Sequence, residues 1–283
     1  MGILKKAISA DKDVVFSVID ATSVVSEAMM RIKAYPPAMV HLGQAMMGAS
    51  LLHSLWNEKG RFKKVSLQWR GNGPFGNLYV ESNEKGHVRG TISNPLAPID
   101  NYETSLGSGH LQVRKYEVKE STGIIEAKGN ICSDLLEYLT QSEQRNTTMA
   151  VSVKIGWNQD RTSEHPFLVE YALGYLIDVL PESDLEGTQA VLKNWDHYLA
   201  DLGPISQWVL PSENRPEDML KFLSPRKPVR EILYQKVQFH CNCSEDRANR
   251  AAQLSAKHAE SPPQPGPLEV QCEFCGKIYK FSP

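Results

Sequence analysis

The 283-residue sequence has no long apolar run. Its mostly apolar stretches are short and interrupted by charge, which excludes a bilayer-spanning helix of about 20 residues. Neither sign of charge dominates: 31 Lys and Arg stand against 33 Asp and Glu, a formal net charge of -2. Bulk attraction to nucleic acid or an anionic membrane is therefore missing. The glycine-rich stretch at 71–76 has no Gly-Lys-Ser/Thr after it, so it is no phosphate loop but a hairpin turn. Gly107-Ser108-Gly109-His110 lacks the strand-to-helix setting of a nucleophile elbow. Near the N-terminus, Lys5 and Lys6 lead to Asp11-Lys12-Asp13 with no apolar h-region between. Lys6 also stands where a myristoylation signal has Ser or Thr. The expectation is a cytoplasmic protein without a membrane partner, in a compartment that keeps thiols reduced.

Hydrophobic residues make up 41% and charged residues 23% of the chain, enough for a sizeable core. Residues 1–180 read as one mixed α/β domain. Residues 13–20 form a buried strand. A helix capped by Thr22 or Ser23 follows, with Val24, Val25, Ala28, Met29 and Ile32 at helical spacing. Pro36 and Pro37 open a second helix through Met39, Leu42, Met46, Leu52 and Leu55, whose Ala, Gly and Ser content suits close packing on a sheet. Val65, Leu67 and Trp69 alternate with polar residues, then come a turn at 71–74 and strands near 78–80 and 88–93. Residues 113–118 and 123–130 read as another hairpin, 135–144 as a helix, and 148–157 and 167–180 as strands. The pairs Met29-Met30 and Met46-Met47 sit at core-like positions. Cys132 stands alone and reads as a small buried residue at a helix start.

Residues 181–232 differ. Six prolines divide them, and two short amphipathic helices remain: one through Leu185, Val191, Leu192, Trp195, Tyr198 and Leu199, one through Met219, Leu220, Phe222 and Leu223. Such helices need a surface to pack on. Residues 233–283 hold too few large apolar side chains for a core and need a staple.

Four of the five cysteines lie in that last unit. Cys241-Asn242-Cys243 and Cys272-Glu273-Phe274-Cys275 are separated by 28 residues. Four thiolates complete a tetrahedral zinc site. Leu268 and Val270 before the second pair, Gly276 after it, and Ile278, Tyr279 and Phe281 beyond outline a strand-turn-strand zinc knuckle. Val237, Phe239, Cys241 and Cys243 alternate, so the first pair projects from one side of an extended segment. His240 is an adjacent candidate ligand, but four thiolates already fill the tetrahedron. A plain structural zinc ribbon explains a C-x-x-C pair. The C-x-C pair favours regulation: a disulfide between its sulfurs closes a small strained ring, and strained disulfides are the readily reduced ones. Zinc keeps such sulfurs as thiolates, reactive yet folded.

These residues resemble the C-terminus of the redox-regulated 33 kDa heat-shock chaperonin family: Cys241-Asn242-Cys243-Ser244, then Val270-Gln271-Cys272-Glu273-Phe274-Cys275-Gly276-Lys277. Tyr138-Leu139-Thr140-Gln141-Ser142-Glu143-Gln144 resembles that family's Y-x-x-x-S-E-Q segment. Gly73-Pro74 and Gly86-His87-Val88-Arg89-Gly90 are similar to its G-P and G-x-V-R-G elements. The resemblance runs over nearly the whole chain. It departs from the family pattern at Leu173 (Gly there), at Asp178 (Gln there), and in the proline-rich spacer at 261–266.

The resemblance implies an α+β protein in three parts. The first, 1–180, is an N-terminal α/β domain with antiparallel sheets and helices that binds clients and dimerises. The second, 181–232, is a metastable helical linker, and the third, 233–283, is a small zinc-binding redox switch. It implies a chaperone, not an enzyme: an ATP-independent holdase for unfolded proteins under oxidative stress. Reduced, it is inactive with one zinc on Cys241, Cys243, Cys272 and Cys275. Oxidised, it carries Cys241–Cys243 and Cys272–Cys275 disulfides, an unfolded linker and a homodimeric state.

Two rivals follow from the residues. His258-Ala259-Glu260 before Cys272 and Cys275 resembles a zinc deaminase signature, with Glu260 as proton shuttle. Gln271 replaces the required Pro, however, and eleven residues separate Glu260 from Cys272. A zinc ribbon touching nucleic acid would need a basic face. Residues 233–283 carry six Lys and Arg against five acids, so no nucleic-acid partner is expected.

Overall fold

The computed structural model describes residues 1–57, 60, 62–160, 162–163, 165–180, 197–208, 210–211, 213–224, 228–258 and 268–281. Ten strands form one sheet: β1 (Gly2–Ser9), β2 (Val14–Asp20), β3 (Lys64–Gly71), β4 (Asn77–Asn83), β5 (His87–Ile92), β6 (Gly109–Tyr116), β7 (Glu120–Ala127), β8 (Asn146–Trp157), β9 (Phe167–Val179) and β10 (Val229–Phe239). Their order is β7-β6-β3-β4-β5-β10-β1-β2-β9-β8. Every pairing is antiparallel but one. β10 pairs with β1 from Val229 to Val237, and then runs parallel to β5 through Gln238↔His87 and Phe239↔Val88 alone. It is the seam between two half-sheets. The division expected at residue 232 falls inside this strand. The mixed architecture of antiparallel sheet and helices is the expected α+β class.

Helices α1 (Thr22–Ile32), α2 (Pro36–Trp56) and α3 (Ile131–Gln141) cover one face. α2 is buried around nearly its whole circumference. Gly43 permits this: a Cβ there would lie 2.9 Å from Val25 Cγ1 and 3.0 Å from Val153 Cγ2. Met46 and Met47 are core residues, whereas Met30 is exposed. Alternation sorts β1 between the two faces. Leu4 and Lys6 turn toward α2, where the Lys6 ammonium donates to Ser54 O at 3.1 Å. Lys5 and Ala7 turn the other way.

That other face carries a second core. Val14, Phe16, Val18, Tyr175, Ile177 and Val179 meet Ile205, Met219, Leu220 and Leu223. The last three belong to α4 (Arg215–Leu223), a nine-residue helix stabilised by this packing rather than by its own length. Leu199 and Trp208 pack against the same cluster. Trp208 stacks between Tyr175 (5.5 Å) and Phe222 (5.7 Å). Residues 13–20 read as a continuous apolar run because β2 is covered on both faces. Leu185, Val191, Leu192 and Trp195 lie outside the described residues.

Several expected boundaries shift. Thr22 opens α1 rather than capping it: Ala21 is the cap residue, and the Asp20 carboxylate accepts from the Thr22 N–H (2.9 Å) and hydroxyl (2.6 Å). The strand expected to reach Asn130 stops at Ala127. Asn130 caps α3 instead, its Oδ1 accepting from the Ser133 N–H at 3.0 Å. α3 ends at Gln141, and the Y-x-x-x-S-E-Q residues make a polar corner where Glu143 accepts from Tyr138 (2.8 Å) and Lys115 (2.6 Å). Asp178 is buried and ion-paired with Arg145 at 2.7 Å. Cys132 lies in the first turn of α3, its thiol donates to Met149 O, and burial pushes it up to about 11, an inert thiol.

Buried Asp134 organises the turn before α3. It accepts from Trp69 Nε1 (3.0 Å), Lys128 N (2.8 Å) and Gly129 N (3.2 Å). Asp134→Ala leaves these donors unpaired, and the expected loss is about 2–4 kcal/mol. Urea unfolding should show a lower midpoint with an unchanged slope.

Candidate metal centre

Beyond β10 the chain runs extended through Cys241 and Cys243 into α5 (Glu245–His258). It returns as a small hairpin, β11 (Leu268–Gln271) and β12 (Ile278–Phe281), on which α5 packs. Little apolar mass supports this unit. Its buried side chains, among those described, are Ala248, Ala252 and Tyr279. Cys272 and Cys275 sit across the hairpin turn, closed by Gly276 N–H to Cys272 O (2.8 Å) and Cys272 N–H to Lys277 O (2.9 Å). Gly276 has φ +70°, which favours glycine, and a Cβ there would lie 2.7 Å from Arg31 O at the end of α1. This is the knuckle the sequence outlines.

The turn brings the two cysteine pairs together. Cys241, Cys243, Cys272 and Cys275 place all four sulfurs within 4.8 Å of one another. Cys241 Sγ lies 3.6 Å from Cys272 Sγ, and Cys243 Sγ lies 3.5 Å from Cys275 Sγ. A tetrahedron with metal–sulfur bonds of about 2.3 Å has edges of about 3.8 Å, so the donor set fits one tetrahedral soft-metal ion. His240 turns aside and stacks on His87 at 4.1 Å. Without a cation the four thiols cannot ionise together. Burial and the neighbouring sulfurs push Cys275 up to about 12. Burial also opposes ionisation of Cys243, but hydrogen bonds led by the Tyr279 hydroxyl (3.1 Å) bring it down to about 7.

The centre leans on the main sheet. Arg89 of β5 donates to Cys241 Sγ at 3.7 Å and covers the Phe274 ring at 4.2 Å. Tyr79 meets Phe274 edge-on. Arg31 covers Phe239, the last residue of β10. Arg89, Tyr279 and Phe274 were invisible as site residues in the sequence, because nothing in their spacing announces a thiolate partner. Glu260 and the side chain of His258, needed by the deaminase rival, lie outside the described residues. Among the described residues, no helix is long and apolar enough to cross a membrane.

Fold and site together define an α+β protein carrying a four-cysteine knuckle whose sulfurs lie close enough to hold a metal ion. The Hsp33 protein family model matches residues 3–282, and the chain belongs to this family of chaperones. The 33 kDa chaperonin of Aquifex aeolicus is 31% identical over 283 residues, covering 93% of this chain and 82% of its own length. That of Bacillus pumilus is 31% identical, covering 100% and 96%. The crystal structure of the 33 kDa chaperonin (heat shock protein 33 homologue) of Thermotoga maritima superposes with a TM-score of 0.81. It covers 99% of this chain and 94% of its own at 24% identity, a likeness of fold. The relatives are named as chaperonins, not as enzymes.

A chain purified reduced should carry about one equivalent of tightly bound metal, measured by atomic emission. Cys275→Ser is expected to lose most of it while the fold of residues 1–180 persists by circular dichroism. Full metal retention in Cys275→Ser would remove the four-ligand assignment.

Proposed function

We propose that this chaperone is a redox-switched, ATP-independent holdase whose resting form binds one zinc ion through Cys241, Cys243, Cys272 and Cys275. The observation that carries the proposal is the meeting of four sulfurs in a unit with almost no core of its own. Bound zinc holds the sulfurs as thiolates and contributes folding free energy on the order of 10 kcal/mol. A unit so dependent on its ligands comes apart when they are consumed.

The oxidant is a peroxide. Two thiolates give up two electrons and form one disulfide, while one hydrogen peroxide takes them up and becomes two hydroxide ions. The pairing follows the family: Cys241 with Cys243, Cys272 with Cys275. The reduced geometry brings Cys241 nearest Cys272 and Cys243 nearest Cys275. Once the two segments part, only partners within each short motif stay close, because short loops close at the lowest entropic cost.

Loss of the staple then reaches the client-binding surface. Residues 181–232 act as a metastable linker, and 233–283 as the switch unit. The part of β10 up to Val237 stays paired with β1. Release of α4 and the segment around Trp208 bares Val14, Phe16, Val18, Tyr175 and Ile177, an apolar face of the kind that holds unfolding chains. Such clients, and a second copy of the oxidised chain, are the proposed partners, in the cytoplasm.

Peroxide with mild heat should release the metal, read by a chelating dye. The same treatment should turn on suppression of aggregation of a denatured client, with both effects reversed by dithiothreitol. Metal release without client protection would overturn the holdase. Trp208→Ala should weaken the linker's packing by about 2–4 kcal/mol and raise client protection by the reduced protein. Unchanged basal protection would remove the linker from the switch.

A further inference from the structure

Arg89 makes three contacts that no other described side chain combines. Its Nε donates to Glu81 Oε1 at 2.8 Å. Its Nη1 donates to Cys241 Sγ at 3.7 Å, and its guanidinium carbon lies 4.2 Å from the Phe274 ring centre. The side chain is 16% exposed, so these contacts are poorly screened. Glu81 is itself fixed: its other oxygen accepts from Lys64 (3.0 Å) and Tyr79 (2.9 Å), and Tyr79 meets Phe274 edge-on. One guanidinium thus joins a rigid point of the β4–β5 hairpin to both cysteine motifs, one through a ligand sulfur, the other through the aromatic residue between its ligands. The other described links along that edge are uncharged or do not touch a ligand sulfur's charge: two residue pairs of β10 on β5, His240 N–H to Val88 O (3.1 Å), the His87–His240 ring contact, Arg31 over Phe239, the approach of Gly276 to Arg31 O, and the packing of Cys241 and Cys275 against the main core.

We propose that Arg89 is the positioning residue that docks the thiolate centre on the main domain and couples its charge to that docking. This rests on the four-thiolate metal centre proposed above. While Cys241 is a thiolate, the guanidinium has an anion to hold, and the contact steadies the sulfur as a ligand. Once Cys241 gives its electrons to a disulfide, with peroxide reduced to hydroxide as above, its sulfur is neutral and the charge-assisted contact is gone. The Phe274 contact alone is a weaker tether. Lys in place of Arg keeps the charge but cannot span carboxylate, sulfur and ring together.

The test uses the full-length chain and its Arg89→Gln, Arg89→Lys and Glu81→Gln variants, each loaded with Co2+ as a spectroscopic stand-in and separately with Zn2+. Arg89→Gln should still bind one metal ion but release it about tenfold faster to a chelating dye under peroxide. Arg89→Lys should fall between. The sulfur-to-cobalt charge-transfer band should move to longer wavelength in Arg89→Gln, because a thiolate that loses a donor gives up charge more easily. Packing alone would not move that band. Glu81→Gln should speed release without abolishing the band position of the wild type. A wild-type chain that binds no cobalt overturns the metal centre and this proposal with it. Wild-type binding, with band and release rate unchanged in Arg89→Gln, overturns the role of Arg89 and leaves the metal centre standing. Should Arg89→Gln not fold, the same comparison with Arg89→Lys decides at smaller amplitude.

Discussion

Four sulfurs within 4.8 Å of one another are the constraint on which the C-terminal unit depends. Thiolates that close repel, and sulfurs so placed oppose one another's ionisation. A divalent soft cation would remove the conflict and turn repulsion into a source of order for the unit. Among its described residues the unit has little else: two buried alanines, one buried tyrosine, a hairpin of two four-residue strands and a helix lying on it.

The main domain is organised to feel that unit. β10 closes the ten-stranded sheet by joining two halves, and it is the strand that runs straight into Cys241. Its grip on β1 is long and its grip on β5 is two residue pairs. One half-sheet, β1-β2-β9-β8, has α-helical cover on one side and the α4 layer on the other. That second layer is built of short pieces held by packing. The α4 layer and the cysteine unit pack against different cores, and β10 is the strand that joins them along the chain.

Much of the fold was legible in local pattern. The alternation of Val65, Leu67 and Trp69 places β3, and Pro36-Pro37 opens α2 at its first residue. The failures came at boundaries where a side chain decides. Asp20 reaches forward to satisfy Thr22, so Thr22 and Ser23, the two residues expected to cap α1, both lie inside it. Asn130 has the chemistry of a cap and spends its side chain on the Ser133 N–H, and β7 ends before it. The division at residue 232 was drawn where proline ends and the cysteine unit approaches. β10 crosses it because Leu4 and its neighbours in β1 offer an open strand edge, a long-range pairing that local composition does not record.

By itself the sequence determined the candidate ligands: C-x-C and C-x-x-C are local patterns whose bite is fixed by a few covalent bonds, and the glycine after Cys275 is demanded by one turn. The strands and helices of the main domain were set the same way, by short-range periodicity. What tertiary structure decided was everything that joins distant segments. It brought the pairs together across 28 residues. It also laid Arg89 against Cys241 and Phe274, seated α4 on the back of β2, and made β10 the seam. Those contacts depend on where the chain ends up in space, and no periodicity along it encodes that.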